Sequence, residues 1–368
     1  MNNQKICFVA PHAYSLLKKT NYKFAGGAEV QQVLIARFLK KNNFKVSFIA
    51  ARYSGKRVED IDGITVFKSS SLFTGGKLRY ASTLLALFVA LREADADLYF
   101  LRSPRHLLGM IAYYCQLRKK KFIFSSSIDY ESNLKSIREI ESRVSRTLFF
   151  YGLEHADAVI VQTNKQKRQF EMNFGLTPVL IKNMCTLPSQ IPVKESPPIV
   201  LWVGTAREEK RPQLFFKLAK VMPSLRFRMI VAPDRNKKLN KEISEQWKKV
   251  PNIDFLGFIP YHEINREYGR ASLLVNTANW EGFPNTFLQA WANKTPVVSL
   301  EIDPDEVIYK NKLGFHSRTF EQMVKDVQLL VADKNLRKEM GENARKYVEA
   351  EHNIEKIAPQ YINLFKNL

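Results

Sequence analysis

Residues 280–291 read WEGFPNTFLQAW, and the interpretation of the whole chain starts from this stretch. An apolar run at 272–276 precedes it, and a second apolar run at 295–300 follows it. The pattern predicts a strand, a loop rich in Gly, Pro and Asn, a helix and another strand. In parallel α/β sheets, ligands bind at the carboxyl ends of strands, where such loops lie. We therefore expect a binding site at this loop.

The loop offers two kinds of group to a ligand. Its backbone N–H groups stand at the start of a helix, where anions bind readily. Glu281 adds a carboxylate, and Gln289 adds an amide eight positions later. If the helix begins at the loop, eight residues are slightly more than two turns, so both side chains can face one cleft. The stretch thus predicts a site for a ligand that carries an anion and a diol.

Length and composition indicate a soluble protein of two ordinary domains. The chain has 368 residues, with 45% hydrophobic and 25% charged content. Its three cysteines, Cys7, Cys115 and Cys185, are too widely spaced for a metal motif or a disulfide framework, so we expect a reducing compartment. The amino terminus lacks the longer apolar core of a signal peptide, and the apolar run at 80–91 is too short to span a bilayer. These features predict a cytoplasmic protein.

The charge is strongly positive and uneven. The formal net charge is +21; residues 1–185 carry 29 Lys and Arg against 14 Asp and Glu, and the remainder carries 28 against 22. A basic amino-terminal half favours an acidic surface as partner, and anionic lipid headgroups fit. A solvated surface with no specific role is the plain alternative. Nucleic acid is disfavoured, because the basic residues are not interleaved with aromatic ones on any single element. We expect no nucleic-acid partner.

Strand-like and helix-like runs alternate twice along the chain. The first series spans residues 1–185 and includes a βαβ unit in which Gly26 and Gly27 open the helix. It also includes a long helix predicted over 134–153. Residues 186–198 contain four prolines and form the best linker candidate. The second series spans 199–353, and a terminal helix spans 354–368. The fold class is therefore α/β with two domains.

Four short motifs occur in an order and spacing that resemble those of one enzyme family. They are GGAE at 26–29, ADAVIVQT at 156–163, WVG at 202–204 followed by EKRP at 209–212, and EGFPN at 281–285. Each motif is weak alone, but together they resemble the GT-B glycosyltransferases of the glycosyltransferase family 4 type over nearly the whole chain. The resemblance implies two Rossmann-like domains facing across a cleft, with residues 354–368 crossing back to the amino-terminal domain.

The resemblance also implies an activity. The domain at 199–353 would bind a nucleotide-diphosphate sugar, and the domain at 1–185 would bind the acceptor, a glycan or lipid-linked glycan. Such enzymes are typically retaining and need neither a bound metal nor another cofactor. The sequence shows no clustered His or Asp spacing of a metal site. We expect a role in cell-envelope polysaccharide biosynthesis, such as lipopolysaccharide or capsule, on the cytoplasmic side and peripherally on the membrane.

Family motifs suggest a role for each candidate site residue. Lys210 matches the phosphate-binding lysine, and Glu281 matches a glutamate that contacts the hydroxyls of the donor sugar. Gly26 and Gly27 would approach the diphosphate from the other domain. The base would be held by backbone contacts near Gly257 and Phe258. Backbone amides for the diphosphate would come from the loop residues Gly282, Phe283, Pro284, Asn285 and Thr286.

Three positions depart from the family pattern. The arginine expected after the valine-glycine pair is Thr205 here, and Arg207 is the candidate to take its place. The second motif glutamate, expected at the ribose hydroxyls, is Gln289, which loses a charge-assisted hydrogen bond. The histidine that many relatives carry before an aspartate is absent, because residues 127–129 read SID. Asp129 and His12 are therefore the candidates for contact with the acceptor.

These departures leave an alternative open. A catalytically silent GT-B homologue, acting as partner subunit of a polysaccharide-synthesis complex, would tolerate Thr205 and Gln289. A GT-B epimerase would need additional acid and base groups, which the sequence does not provide.

Overall fold

The computed structural model describes residues 4–20, 26–51, 55–69, 79–103, 105–140, 142–234 and 236–368. The chain divides into two compact units. The first comprises Met1–Lys182 and Ala358–Leu368, and the second comprises Asn183–Ile357. Each unit has its own mainly parallel sheet, so the predicted α/β class with two sheet domains is confirmed.

The sheet of the first unit contains eight strands among the described residues: β1 (Lys5–Val9), β2 (Lys45–Ala51), β3 (Val58–Ile61), β4 (Ile64–Ser69), β5 (Leu98–Leu101), β6 (Lys121–Ser125), β7 (Ala158–Val161) and β8 (Val179–Leu180). Their order is β3-β4-β2-β1-β5-β6-β7-β8. β3 pairs antiparallel with β4, and the other pairs are parallel. The strand order reverses at β1 and β5, so this is where the sheet has its topological switch point.

The helices that connect these strands are α1 (Tyr14–Lys18), α2 (Gly27–Lys41), α3 (Arg79–Ala94), α4 (Leu108–Arg118), α5 (Leu134–Ile140), α6 (Arg143–Glu154) and α7 (Asn164–Phe174). The long helix predicted over 134–153 is wrong. The Ser142 side chain caps a new helix, because its oxygen accepts a hydrogen bond from the Ser145 N–H at 3.2 Å.

Three phenylalanines on neighbouring strands form the centre of the first sheet. The strand registers place Phe8 of β1 beside Phe48 of β2 and Phe100 of β5. The ring of Phe8 lies 5.2 Å from each of the other two rings, measured between centroids. All three side chains are fully buried. This aromatic row explains why the apolar runs of β1, β2 and β5 become central strands.

The terminal helix α15 (Ile354–Lys366) covers this row. Its Tyr361 and Phe365 rings lie 6.2 and 6.1 Å from the Phe100 ring. The Gln4 side chain donates a hydrogen bond to the Phe365 carbonyl at 3.1 Å. The predicted return of the last helix to the amino-terminal domain is therefore confirmed, and burial of two aromatic side chains stabilises it.

The second unit contains a six-stranded parallel sheet: β9 (Ile199–Thr205), β10 (Arg226–Ala232), β11 (Ile253–Gly257), β12 (Leu273–Asn276), β13 (Val297–Ser299) and β14 (Gly314–His316). The order is β11-β10-β9-β12-β13-β14, so β9 and β12 flank the switch point. Its helices are α8 (Pro212–Val221), α9 (Lys237–Gln246), α10 (Asn265–Arg270), α11 (Asn285–Ala292), α12 (Val307–Lys310), α13 (Phe320–Ala332) and α14 (Lys334–Glu351).

The proline-rich segment 186–198 belongs to the second unit and is not a free connector. Glu195 accepts a hydrogen bond from Arg228 at 2.9 Å and forms an ion pair with Arg270 at 2.7 Å. Lys194 donates to the Asn293 carbonyl at 3.0 Å and contacts the Thr295 hydroxyl. Prolines suggested a spacer, but charged side chains within the segment attach it to the unit.

Lys194 should make stability depend on pH. Burial lowers the pKa of its ammonium group from 10.5 to about 7. Between these values the unfolded chain binds more protons at this site than the folded chain, so wild-type stability falls as pH falls and then levels off below pH of about 7. Lys194→Met removes this dependence. We expect the free energy of unfolding of Lys194→Met, relative to wild type, to rise by about 1 kcal/mol per pH unit as pH is lowered from about 9 to about 7.5.

Urea unfolding of both proteins across this pH range measures the difference. Lys220→Met is the matched control, because Lys220 is exposed on α8. A difference between Lys194→Met and wild type that stays constant with pH would show that Lys194 keeps an ordinary pKa in the folded protein.

The most apolar run of the sequence lies within α3. Across the described ranges, no helix combines the length and apolar character needed to cross a membrane.

Candidate active site

The strongest candidate site lies at the carboxyl ends of β9 and β12. These strands are neighbours in the sheet, with Val200 beside Leu273 and Leu201 beside Leu274. The segment after β9 contains a short 3-10 helix, Glu208–Lys210, and the segment after β12 leads into the loop before α11. The Asn279 N–H donates to the Glu209 carbonyl at 3.0 Å, which joins the two segments directly.

Lys210 and Glu281 meet at this edge. The Lys210 ammonium group contacts the Glu281 carboxylate Oε1 in an ion pair. The two side chains are 23% and 15% exposed, so both remain accessible to a ligand. The Thr277 hydroxyl donates to the Lys210 carbonyl at 2.6 Å and accepts from the Trp202 indole N–H at 3.0 Å. The fold thus brings together a cation and a carboxylate that are 71 positions apart in sequence.

Arg211 connects the two segments by hydrogen bonds. It was not among the site residues predicted from the sequence. Its guanidinium donates to the Thr277 carbonyl at 2.7 Å and to the Ala278 carbonyl at 3.3 Å. A third bond reaches the Glu301 carboxylate at 2.6 Å. Its backbone lies in the left-handed region, with φ of 46°. The only sequence signal was its place between Lys210 and a proline, which does not reveal the acceptors.

Two substitutions of Arg211 should separate its side-chain bonds from its backbone conformation. Arg211→Ala loses three charge-assisted bonds, so we expect the free energy of unfolding to fall by about 2–3 kcal/mol. Arg211→Gly loses the same bonds but adopts a positive φ without steric cost, so it should be about 1 kcal/mol more stable than Arg211→Ala. Urea unfolding measures both. If neither variant loses stability, the three bonds contribute nothing to the folded state.

The loop before α11 is anchored from within the unit. Gly282, Phe283 and Pro284 are buried. The Asn183 side chain donates to the Phe283 carbonyl at 2.9 Å, and the Phe283 ring lies 4.7 Å from the ring of buried His352. Pro284 stands at the N-cap of α11, so no side chain caps this helix. Its first-turn amides, at half-buried Asn285 and Thr286, therefore suit the predicted anion site.

Gln289 does not stand two turns from Glu281 on one helix. α11 begins at Asn285, so Glu281 precedes the helix and Gln289 lies in its second turn. The Gln289 side chain is buried, and its Oε1 accepts a hydrogen bond from the Tyr268 hydroxyl of α10 at 3.3 Å. Its Nε2 is buried and has no hydrogen-bond partner among the described residues. The NH2 group of the Gln289 amide thus keeps unused donor capacity.

Thr205 is the last residue of β9 and Arg207 follows the strand, at the place where the family pattern has an arginine. The Thr205 hydroxyl is buried and has no hydrogen-bond partner in the described part of the chain. Arg207 forms an ion pair with Asp234, and its Nη1 lies 3.9 Å from the Glu209 carboxylate. Arg207 would have to leave Asp234, a partner not expected from the sequence, to contact a phosphate group.

Gly257 and Phe258 lie at the end of the edge strand β11. Gly257 has φ of +64°, a conformation that glycine adopts without strain. Phe258 is half-buried. Since β10 separates β11 from β9, these two residues lie on the far side of β10 from Lys210.

The remaining candidates belong to the first unit. Gly26 caps α2 and Gly27 begins it, and the Glu29 carboxylate accepts the Gly26 N–H at 3.0 Å. His12 follows β1, where its side chain is half-buried. Asp129 follows β6, and it accepts hydrogen bonds from Lys165 at 2.6 Å and from Gln166 at 3.1 Å. The Gly26 N–H is therefore already hydrogen-bonded to Glu29. The Asp129 carboxylate is held in place by two side chains of α7.

Two family models match consecutive parts of the chain. Glycosyltransferase Family 4 matches residues 25–185, and Glycosyl transferases group 1 matches residues 186–347. The chain is a GT-B glycosyltransferase of the family 4 type. The motifs at 26–29 and 281–285, on which the resemblance was based, lie inside these matches.

Proteins of similar length resemble this glycosyltransferase. An uncharacterised glycosyltransferase of Haemophilus influenzae is 23% identical, over 93% of this chain and 96% of that protein. Sucrose-phosphate synthase from Thermosynechococcus elongatus superposes with a TM-score of 0.82 at 17% identity, over 99% of each chain. Anabaena HepE, solved in complex with UDP and glucose, gives 0.74 at 15% identity over the full length of both. At these identities the structural likeness establishes the GT-B fold.

Within the described parts of this glycosyltransferase, no three side chains of His, Cys, Asp or Glu group closely enough to hold a metal ion. The expectation of a reaction without a metal or other cofactor stays a prediction.

Proposed function

We propose that this glycosyltransferase transfers a sugar, with retention of anomeric configuration and without a metal ion, from a nucleotide-diphosphate sugar to a glycan or lipid-linked acceptor. The second unit binds the donor and the first unit binds the acceptor. The product belongs to a cell-envelope polysaccharide, such as lipopolysaccharide or capsule, and the enzyme works peripherally on the cytoplasmic face of the membrane. The observation that carries the proposal is the Lys210–Glu281 pair at the switch point of the second sheet.

Departure of a nucleotide diphosphate places growing negative charge on a phosphate oxygen. Lys210 supplies the cation for that charge, and the first turn of α11 supplies backbone N–H donors. Glu281 accepts hydrogen bonds from the sugar hydroxyls and holds the ammonium group of Lys210 in place beforehand. A preorganised cation and helix start cost little reorganisation when the bond breaks.

The nucleotide portion is assigned by position. Gln289 is placed at the ribose hydroxyls, and Gly257 with Phe258 at the base. Thr205, Arg207, Gly26 and Gly27 are assigned to the diphosphate by the family pattern. His12 and Asp129 contact the acceptor. Uridine diphosphate is the first nucleotide to test, because the HepE structure, which has the same fold, contains UDP and glucose.

A donor screen tests the proposal. The purified protein is titrated calorimetrically with UDP-, GDP- and ADP-sugars in the presence of EDTA, and we expect one nucleotide class to bind. Absence of binding to every donor, with or without added Mg²⁺, would contradict the donor site. Binding that requires Mg²⁺ would contradict the metal-independent reaction. NMR of the product shows whether the anomeric configuration of the sugar is retained. An inverted configuration would contradict the proposed retention.

Gln289→Glu tests the ribose assignment. A carboxylate at this position accepts charge-assisted hydrogen bonds from a diol, whereas the Oε1 of Gln289 already accepts from Tyr268. We expect Gln289→Glu to bind the nucleotide about tenfold more tightly, which corresponds to about 1.4 kcal/mol. Gln213→Glu, at an exposed position of α8, introduces the same charge change as a control. Unchanged or weaker affinity in Gln289→Glu alone would place Gln289 away from the ribose.

A catalytically silent partner subunit is the second candidate. Two observations favour it: Arg207 is paired with Asp234, and Gln289 is bonded to Tyr268. Both side chains are thus engaged within the protein at positions where the family pattern places donor-binding groups. Sugar transfer that is abolished by Glu281→Ala would rule out this candidate.

A further inference from the structure

An exposed apolar face is formed by α3 and α4 in the first unit. On α3, Leu85 is 70% exposed and Val89 is 42% exposed. On α4, Tyr113 is 51% exposed and Leu117 is 63% exposed. Each pair is spaced by four residues, so each forms a stripe along one helix face. We call these four residues the α3–α4 face.

The two stripes are continuous with each other. The Phe88 ring of α3, which is half-buried, lies 6.1 Å from the Tyr113 ring of α4. The two helices precede β5 and β6, which are adjacent parallel strands. They therefore lie side by side and run in the same direction. A contiguous group of large apolar side chains at the surface marks an interaction site more often than scattered ones do.

Exposed cations flank the α3–α4 face at the ends of both helices. Arg92 lies three residues beyond Val89, and Arg118 and Lys119 directly follow Leu117. None of the three forms an ion pair with another residue that the structure describes. The nearby acids are neutralised, since Glu93 pairs with Arg57 and Asp95 pairs with Lys5 and Lys120. The face is thus apolar in its centre and positive at its edge.

We propose that the α3–α4 face, with Arg92, Arg118 and Lys119, docks this glycosyltransferase on an anionic lipid bilayer. The proposal rests on the proposed function for its reason, because a lipid-linked acceptor is presented at a membrane surface. Large apolar side chains enter the boundary between headgroups and acyl chains, and the flanking cations attract anionic headgroups. The excess of basic residues in 1–185 acts in the same direction. A second copy of the chain fits less well, because it would bring the same cations together.

Sedimentation with lipid vesicles tests the docking surface in the full-length protein. We expect binding to vesicles made of equal parts phosphatidylglycerol and phosphatidylcholine, weaker binding at high salt, and little binding to phosphatidylcholine alone. Leu85→Ser combined with Leu117→Ser should weaken partitioning at least tenfold. The matched control combines Met172→Ser and Val193→Ser, which are apolar positions elsewhere that are even more exposed, and should stay within twofold of wild type.

A second pair of variants tests the charges. Arg92→Gln combined with Arg118→Gln should weaken binding about tenfold at low salt and reduce its salt dependence. Lys248→Gln combined with Lys249→Gln removes the same charge from an exposed part of the second unit and should have little effect. All four double variants should unfold at the wild-type urea midpoint, since the replaced side chains are exposed.

Three results would overturn the docking surface. They are no binding of wild type to anionic vesicles, equal losses in the α3–α4 variants and their controls, and a change of oligomeric state in the Leu85 and Leu117 variant without loss of vesicle binding. The donor screen is carried out without vesicles. A protein that binds vesicles but no donor would contradict the proposed sugar transfer and not the docking surface. A protein that binds donor but no vesicles would contradict the docking surface and the proposed membrane location, and not the sugar transfer.

Discussion

Replacing Lys210 with alanine is expected to lower kcat by about a hundredfold to a thousandfold, which corresponds to about 2.7–4 kcal/mol of lost transition-state stabilisation. The ammonium group lies against Glu281 at the carboxyl edge of β9 and β12, and it is 23% exposed. In the proposed reaction it stabilises charge that grows on the leaving diphosphate. The ground-state complex carries less of that charge, so kcat should fall more than KM rises.

The expected split between kcat and KM distinguishes a catalytic role from a structural one. Lys210→Arg keeps the positive charge and should recover part of the lost rate. Lys220→Ala, which removes an exposed lysine from α8, should retain wild-type kinetics. The free energy of unfolding of Lys210→Ala should change by less than about 1 kcal/mol, because a partly exposed ion pair contributes little stability. If Lys210→Ala keeps the wild-type kcat, Lys210 has no role in the reaction.

Glu281→Gln is expected to lower kcat/KM by about a hundredfold, or about 2.7 kcal/mol. The substitution keeps the size of the side chain and removes only the negative charge. Without that charge, the bond to Lys210 is weaker, and the sugar hydroxyls lose an acceptor of charge-assisted hydrogen bonds. Steady-state kinetics with the donor identified in the screen provides the measurement.

Glu208→Gln is the matched control for Glu281→Gln. Glu208 lies two residues before Lys210, is exposed, and accepts a hydrogen bond from Asn236 at 3.3 Å. We expect its kinetics to stay within about threefold of wild type, since exposed polar contacts contribute little. The double variant Lys210→Ala/Glu281→Gln should lose less activity than the product of the two single losses, because the residues act as a pair. Fully multiplicative losses would indicate that the two side chains act independently.

Local pattern was sufficient to predict the main elements of both units. The apolar runs at 272–276 and 295–300, for example, predicted strands, and the structure has β12 and β13 there. Such predictions succeed because hydrophobic periodicity and turn residues act over a few neighbouring positions. The pattern failed where one polar side chain changed the outcome. Ser142 starts a new helix inside a continuous helical pattern, and Lys194 anchors a segment whose prolines predicted a spacer.

In the candidate site too, some features could be predicted from local sequence and others could not. Lys210 and Glu281 were identified from their motifs, but nothing local in either motif indicates that their charged groups touch. Strand order determines that contact, because β9 and β12 are neighbours although five helices and strands, α8 to α10, separate them along the chain. The partners of Arg207 and Gln289 are also long-range, since Asp234 follows β10 and Tyr268 lies on α10.

The amino-acid sequence by itself determined the α/β class and the family, and it marked the loop at 280–291 as the candidate donor site, because these depend on short patterns and on motif order. Only the tertiary structure decided which side chains already form hydrogen bonds or ion pairs within the protein. Arg211 joins three segments, Gln289 is bonded to Tyr268, and two helices expose one apolar face beside cations that form no ion pair within the described ranges. The physical reason is that a side chain's partners depend on which strands and helices become neighbours, and that arrangement follows from burying the whole chain at once.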